Sequence, residues 1–148
     1  MRIGLPLLLI FFSIASCSLN AEQERNLNKS IIKYLFSVNR ELKLSIAAAT
    51  HPLILRQLKE DGHEKLKSYL APKYNIWTDA VIGKTQIKGD VIHIELKVAQ
   101  VSKETYEKND RRIRLYAISE DNGKNWYFVD YKLYESDYCK KLKRILKW

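Results

Sequence analysis

Few residues of this 148-residue chain have the types and spacing that chemistry requires. The three histidines, His51, His63 and His93, are far apart in the sequence, and neither Cys17 nor Cys139 stands at metal-ligand spacing to another ligand. Structural zinc sites draw their ligands from short, regular spacings. We therefore expect no metal site and no cofactor, and we expect each histidine to be an ordinary surface or partly buried residue.

Asp130 is the one carboxylate that the sequence marks as a weak candidate for a binding site. A hairpin closed at Asn122-Gly123 places Asp130 opposite Leu115 on one face of a sheet. Three tyrosines share the other face: Tyr116, Tyr127 and Tyr131. A buried carboxylate there would have a raised pKa, and tyrosine offers a ligand an apolar body with a polar tip. The alternative is that Asp130 lies at a wet rim or pairs with Arg112 or Lys132.

The turn between these two arms has a recognisable sequence. Residues 119–126 read Ser-Glu-Asp-Asn-Gly-Lys-Asn-Trp and match the pattern S-x-D-x-G-x-x-W. This resembles the Asp box of sialidases and related β-propellers, where the motif folds a hairpin away from the catalytic centre. A propeller needs several four-stranded blades, and the pattern occurs once here, so we expect no glycosidase activity. We expect Ser119 and Asp121 to bond turn amides, Gly123 to take positive φ, and Trp126 to pack beneath the loop.

The first residues of the chain have the composition of an export leader. Arg2 supplies a positive charge, and residues 5–14 are apolar apart from Pro6 and Ser13. That run is about ten residues long, against the ~20 that a bilayer-spanning helix needs. The pattern predicts a signal peptide over residues 1–16 that is removed from the mature protein.

The residues that follow the leader resemble a lipidation signal. Ile14-Ala15-Ser16-Cys17 is similar to the bacterial lipobox, in which the cysteine is acylated and becomes the mature N-terminus. The resemblance implies a lipoprotein anchored through Cys17, because several acyl chains bind a membrane far more tightly than one. Ser18 stands where lipoproteins of the inner membrane commonly carry Asp, which favours the outer membrane. The alternative is an ordinary secretory signal cleaved after Ala21.

The cysteine count agrees with this interpretation. The chain has two cysteines, Cys17 and Cys139, and an exported protein can pair them. A Cys17 that carries lipid as a thioether forms no disulfide. We therefore expect Cys139 to be buried, with a bridge between two copies of the chain as the alternative.

The charge of the chain is strongly basic, and the C-terminal tail holds a cluster of cations. The formal net charge is +9, and removal of Arg2 with the leader would leave +8. Such a charge is either a solvated basic surface or an attraction to anionic lipid, nucleic acid or an acidic partner. Five cations cluster in the tail: Lys140, Lys141, Lys143, Arg144 and Lys147. They lie opposite an apolar face on a helix, which predicts a short basic C-terminal helix on the domain or on a membrane surface.

The first half of the chain has the apolar period of helices. Residues 18–26 are polar, and we predict a tether there. From Leu27 to Ala49 apolar residues recur every three or four positions, which predicts one helix of about twenty-five residues capped by Asn26 or Asn28. A break at residues 50–52 then precedes two shorter helices, one that begins at Pro52 and one over residues 64–70.

The second half changes to the period of strands. We predict strands at residues 76–87, 91–101, 111–119 and 125–134, with a charged loop at 102–110. Helices followed by antiparallel strands predict a single α+β domain over residues 27–148, with the N-terminal helices on one face of a four-stranded antiparallel meander. This element order is similar to cystatin-like and nuclear-transport-factor-2-like folds.

These features favour a non-enzymatic binding module, lipid-anchored in a bacterial envelope. Its partner is a protein or a small ligand, as in an inhibitor or immunity-type protein whose basic surface meets an acidic target. Two alternatives remain open. One is a small pocket enzyme or ligand carrier with Asp130 in a helix–sheet cavity, and the other is a membrane-surface binder that uses the basic tail. Nucleic acid is the less favoured partner for that tail.

Overall fold

In the described part of the chain, four helices precede four antiparallel strands, as a computed structural model of the protein shows. The structure describes residues 18–71, 75–101, 108–130, 133–134, 139–140 and 143–144. The helices are α1 (Ala21–Asn39), α2 (Lys43–Ala49), α3 (Pro52–Glu60) and α4 (His63–Tyr69). The strands are β1 (Asn75–Lys88), β2 (Val91–Val101), β3 (Lys108–Ser119) and β4 (Tyr127–Asp130). This order confirms the predicted α+β class. The predicted leader and Cys17 lie outside the described residues.

Helix α1 begins six residues before the predicted start at Leu27, so most of the predicted tether over residues 18–26 is helical. Asn20 is the N-cap: its side chain accepts a hydrogen bond from the Gln23 backbone, and the Gln23 side chain accepts one from the Asn20 backbone, both at 2.9 Å. This reciprocal pair is a capping box. The first turn of α1 is polar, which is why the apolar period alone did not detect it.

The predicted single helix over residues 27–49 is two helices. Glu41 adopts a left-handed conformation with φ of 55°, and the Leu42 amide bonds the Ser37 carbonyl at 2.9 Å. Such a bond across a left-handed residue is the Schellman ending of a helix. Ile46 is buried beyond the break, so the apolar stripe continues in phase across it. For that reason the apolar period does not indicate the break.

The sheet has the order β1-β2-β3-β4, with every neighbouring pair antiparallel. The predicted hairpin register is present, because Leu115 pairs with Asp130 and Ala117 pairs with Phe128. Strand β4 ends at Asp130, earlier than predicted, and β3 begins at Lys108, inside the predicted charged loop. The two central strands are therefore long, and the last strand is a short edge.

The N-terminal helices cover both faces of the sheet, whereas the sequence predicted them on one face, with the C-terminal helix as the candidate cover for the other. On the first face α1 and α2 pack on the inward side chains of the strands, and Tyr34 stacks on Phe128 with ring centroids 4.6 Å apart. On the second face Ile54 and Leu58 of α3 pack with Tyr116 and other residues of the hairpin. The β3–β4 hairpin has apolar side chains on both faces, so a single helical layer would leave one of them in water.

The described residues of the tail have helical backbone at Leu133, Tyr134, Lys140, Lys143 and Arg144. Tyr134 and Cys139 are buried in the second core cluster, in agreement with the expectation that Cys139 is buried. The tail therefore adds to the layer that α3 and α4 form. The predicted positions Lys141 and Lys147 lie outside the described residues.

Gly123 provides the sharpest test of how α1 is seated on the hairpin. A Cβ atom on Gly123 would lie 2.6 Å from Gln23 Cγ, whereas a Cβ atom on Gly89 would meet nothing within 4 Å. Both glycines have positive φ, of 82° and 59°. We expect Gly89→Ala to lower the free energy of unfolding by about 1 kcal/mol through backbone strain alone, and Gly123→Ala to lower it by roughly 2–4 kcal/mol.

Urea unfolding followed by circular dichroism measures both values. Because the two variants share the same backbone penalty, their difference reports the contact between the turn and α1. Equal losses of stability would show that Gln23 moves aside without cost and that the seating is loose.

Candidate functional site

The Asp-box turn is built from hydrogen bonds among its own residues. Ser119 Oγ donates to Asp121 Oδ1 at 2.9 Å and accepts from the Gly123 amide at 2.8 Å. The Trp126 indole N–H donates to the Gly123 carbonyl at 3.1 Å, with its ring buried. Asn122 and Gly123 have positive φ, as a type I′ turn requires. The arrangement satisfies the turn's polar groups internally, so it specifies the fold and offers a ligand few free groups.

The carboxylate of Asp121 is held in its ionised form. Burial raises the pKa of Asp121, but hydrogen bonds from Asn125, Ser119 and Lys124 together outweigh it and hold the pKa below its usual value. Asn125 supplies two of them, from its amide at 2.9 Å and from its side chain at 2.6 Å. A carboxylate that accepts several hydrogen bonds is stabilised as the anion. The turn therefore loses stability as pH falls through this lowered pKa.

Among the described residues, Asp130, Tyr116 and Tyr127 do not come together as one site. Asp130 is half-buried at the end of β4, and its Oδ1 accepts a hydrogen bond from the Leu133 amide at 3.4 Å, where the tail turns into helix. Tyr127 contacts His51, with ring centroids 5.7 Å apart. Tyr116 is buried elsewhere, in the cleft defined below, and Tyr131 lies outside the described residues. Asp130 thus bonds the start of the tail, and it is not among the described residues that line the cleft defined below.

A cleft of about 270 Å³ lies on the second face of the sheet. Residues from β1, β2, β3 and the tail line it. They are Lys84, Gln86, His93, Glu95, Tyr116, Tyr134 and Lys143. Among the described residues that line it, two lysines face a single carboxylate, so we call it the basic cleft. The Glu95 Oε1 atom of that carboxylate lies 3.9 Å from Arg114 Nε.

Three aromatic rings that pack against one another form the floor of the basic cleft. His93 lies parallel to Tyr116, with ring centroids 4.8 Å apart and an interplanar angle of 8°. Tyr134 packs on both, at 4.1 Å from Tyr116 and 5.0 Å from His93. The Lys143 ammonium lies 4.4 Å from the centroid of the Tyr134 ring, within the range of a cation–π interaction. The stack therefore fixes one cation of the tail over the cleft.

His93 is neutral across the physiological range. Burial, together with the positive charges of Lys143 and Lys84, lowers the pKa of His93 to about 4. A buried imidazole resists charging because it would lose hydration without gaining an opposite charge. The two lysines that disfavour a positive charge on His93 favour a bound anion in the cleft. The electrostatics of the cleft thus suit a carboxylate or phosphate group.

His51 has a different role, at the start of α3. Its Nδ1 accepts from the Leu53 amide at 3.3 Å, which caps the helix, and its Nε2 lies 3.3 Å from Glu120 Oε2. Burial lowers the pKa of His51, and the Glu120 carboxylate opposes part of that shift. This contact ties the residue after β3 to the second helical layer. It is a structural link between two elements.

Sequence reasoning missed the basic cleft for an identifiable reason. The sequence predicts His93 as an ordinary surface or partly buried residue and gives no signal at Lys84, because the cleft forms only when strands and tail come together. The alternation of β2 was the available signal, since it places His93 and Glu95 on the face opposite the buried Ile92 and Ile94. Of the predicted tail cations, Lys143 lines the cleft, and Lys140 and Arg144 are exposed.

The stability of the fold should depend on the protonation of His93. Because the folded pKa is about 4, below the ordinary 6.5, the stabilisation is complete above pH 6.5 and is lost as pH falls towards 4. We expect the loss from this residue to be on the order of 3 kcal/mol between pH 7 and pH 4. His93→Gln should flatten that part of the profile, measured by urea unfolding at a series of pH values.

Nuclear magnetic resonance titration of the His93 ring provides the matched control. Lys143→Met should raise the pKa of His93 by removing a neighbouring cation, whereas Lys140→Met, exposed and outside the cleft lining, should leave it where it is. A His93 that titrates near 6.5 would contradict the described burial.

Comparison of the chain with protein-family models, with curated proteins and with solved structures gave no match. Within the described residues, no three His, Cys, Asp or Glu side chains lie together as metal ligands, and no helix is long and apolar enough to cross a membrane. What we propose about function therefore rests on the chemistry of the basic cleft and on the predicted leader.

Proposed function

We propose that this protein is a lipid-anchored, non-enzymatic binding module of a bacterial envelope, and that its basic cleft holds an anionic group. The group is a carboxylate or phosphate carried by a small ligand or by an acidic partner. The observation that carries the proposal is the pairing of Lys84 and Lys143 over a floor of stacked rings.

The chemistry of the cleft suits recognition of one anionic group. A lysine ammonium is a compact charge with three donors, and hydrogen bonds to charged groups are stronger than neutral ones. The Gln86 side chain adds an amide to the lining, and the tyrosine rings supply an apolar wall. A cavity of about 270 Å³ lies at or below the small end of the range for ligand pockets, so it suits the head of a ligand more than a whole drug-sized molecule.

Binding fits this cleft better than proton transfer. General acid–base catalysis is most effective when the pKa of the group lies near the working pH. The pKa of His93 is about 4, and its ring packs against those of Tyr116 and Tyr134. An imidazole in that state is a weak base at neutral pH, whereas it remains a good wall for a bound ligand.

The start of α1 supports cleavage before Cys17 over cleavage after Ala21. The N-cap Asn20 completes the capping box, and Leu19 packs against the first core cluster. Cleavage after Ala21 would remove both, and loss of an N-cap typically costs about 1 kcal/mol. Cleavage at the lipobox leaves both in place, with the acylated cysteine three residues before the N-cap.

Titration with inorganic phosphate and with succinate tests the cleft. We expect either anion to shift the His93 and Tyr116 resonances and to raise the pKa of His93, because a bound negative charge favours the imidazolium form. Lys84→Met and Lys143→Met should each weaken binding by about tenfold, the loss expected for a charged hydrogen bond.

Each lysine has a control on its own element. Lys88→Met in β1 and Lys140→Met in the tail remove the same charge from exposed positions outside the cleft lining. Equal weakening by cleft and control variants would mean that the anions respond to overall charge, and the proposed binding site would be rejected.

Intact mass spectrometry of the chain expressed in a bacterium tests the anchor. We expect a species that begins at Cys17 and carries the mass of two or three acyl chains, and we expect Cys17→Ser to abolish that modification. A soluble species that begins at Glu22 would instead show ordinary secretory cleavage.

A further inference from the structure

The outer face of α1 carries apolar side chains that the fold leaves in water. Ile32 is 60% exposed and Phe36 is 54% exposed, although the same helix buries Leu27, Ile31 and Leu35 on its inner face. Ile32 and Phe36 are four residues apart, so they are neighbours on one side of the helix. Just beyond the helix, Leu44 is 89% exposed. The helix is therefore apolar on its inner face and, in part, on its outer face.

Cations surround these exposed apolar side chains. At 100° per residue, four basic residues share the outer face with Ile32 and Phe36. They are Arg25, Lys29, Lys33 and Arg40, all exposed. The Arg40 guanidinium lies 5.7 Å from the centroid of the Phe36 ring. Glu22 is the single acidic residue on this face of α1, every residue of which is described. We call these residues, from 25 to 40, the basic–apolar face.

We propose that the basic–apolar face of α1 lies flat on an anionic membrane surface. Helices that lie in the membrane–water interface typically have apolar side chains between lysines and arginines. The apolar side chains enter the headgroup region, and the cations meet lipid phosphates. The positive charge of the face is complementary to an anionic surface. Glu22, the acidic residue on the same side of α1, lies in the first turn of the helix, before the residues of the face.

The inference rests on the proposed anchor for its geometry. Cys17 is three residues from the N-cap Asn20, and three extended residues reach about 10 Å. An acyl chain at Cys17 would therefore hold the first turn of α1 close to the headgroups. A helix of 19 residues is about 28 Å long, so lying flat brings Ile32 and Phe36 to the same surface.

The test places a polarity-sensitive fluorophore on the full, purified protein. Ile32→Cys carries the dye on the basic–apolar face, and Glu64→Cys carries it on exposed α4 as the reference. Cys139 is buried, and a Cys139→Ser background excludes its labelling. The protein is bound to vesicles of phosphatidylcholine alone or to vesicles that also contain roughly 30% phosphatidylglycerol, whose negative surface attracts basic helices. We expect a blue shift at position 32 only in the anionic vesicles, with quenching by brominated lipid, and no shift at position 64.

Charge reversal distinguishes this face from overall charge. Lys29→Glu/Lys33→Glu should abolish the shift at position 32, whereas Lys59→Glu/Lys67→Glu, with the same change of four charges on α3 and α4, should preserve it. An unshifted dye at position 32, an equal shift in neutral vesicles, or equal effects of the two double variants would each overturn the proposal.

The same experiment separates failure of docking from failure of the anchor. Intact mass identifies whether the purified chain is acylated before any vesicle is added. If it is acylated and the dye at position 32 does not shift, the anchor stands and docking is rejected. If it is not acylated, sedimentation with the two vesicle types tests the face by itself. Binding that is at least about tenfold stronger to anionic vesicles then supports docking, and a smaller difference rejects it.

Discussion

The contact between the first turn of α1 and the Asp-box turn is the constraint on which the rest of the fold depends. Gln23 Nε2 donates to the Asn122 side chain at 2.8 Å and to its carbonyl at 3.2 Å, and Asn26 donates to the Gly123 carbonyl at 3.1 Å. These bonds join residues almost a hundred positions apart. They fix where α1 crosses the hairpin, and the stack of Tyr34 on Phe128 continues that contact into the core. The turn is rigid because its own hydrogen bonds, centred on Ser119 and Asp121, leave it little freedom to yield.

The placement of helices on both faces of the sheet follows from this constraint. With α1 seated on one face of the hairpin, the residues of the other face need a second cover, and α3, α4 and the tail provide it. Thr50 forms a parallel bridge with Phe128, and His51 next to it caps α3, so the chain passes from the first layer to the second at the hairpin itself. On this face the basic cleft lies where the tail meets β1, β2 and β3.

The fold was more accessible to sequence reasoning than the candidate site, for physical reasons. The register of the hairpin follows from Asn122-Gly123, because a two-residue turn with positive φ leaves one pairing that keeps both faces consistent. The start of α1 was missed because Asn20 and Gln23 act through hydrogen bonds, which an apolar period does not record. Asp130 was placed opposite Leu115 correctly, but its bond to the Leu133 amide depends on how the tail turns.

The alternation of β2 indicates which face His93 shares with Glu95, but not the cleft as a whole. Lys84, His93, Tyr116 and Lys143 come from four elements whose apposition no local pattern encodes.

The two faces of the sheet differ: one packs under α1, and the other carries the basic cleft. Inward residues of β2, such as Ile94 and Leu96, pack under α1, whereas His93 and Glu95 alternate with them and face the basic cleft. A surface on the outside of α1 and a cleft on the far side of the sheet therefore point in opposite directions. Under the proposed anchor, a chain held within about 10 Å of the bilayer at Asn20 has little freedom to rotate. Docking of α1 would then turn the cleft away from the lipid, towards the space where a dissolved ligand or a partner is found. With cleavage at Cys17, only two residues would separate the acylated cysteine from the capping box, and the orientation of the binding site would be set by the same first turn that seats the helix on the hairpin.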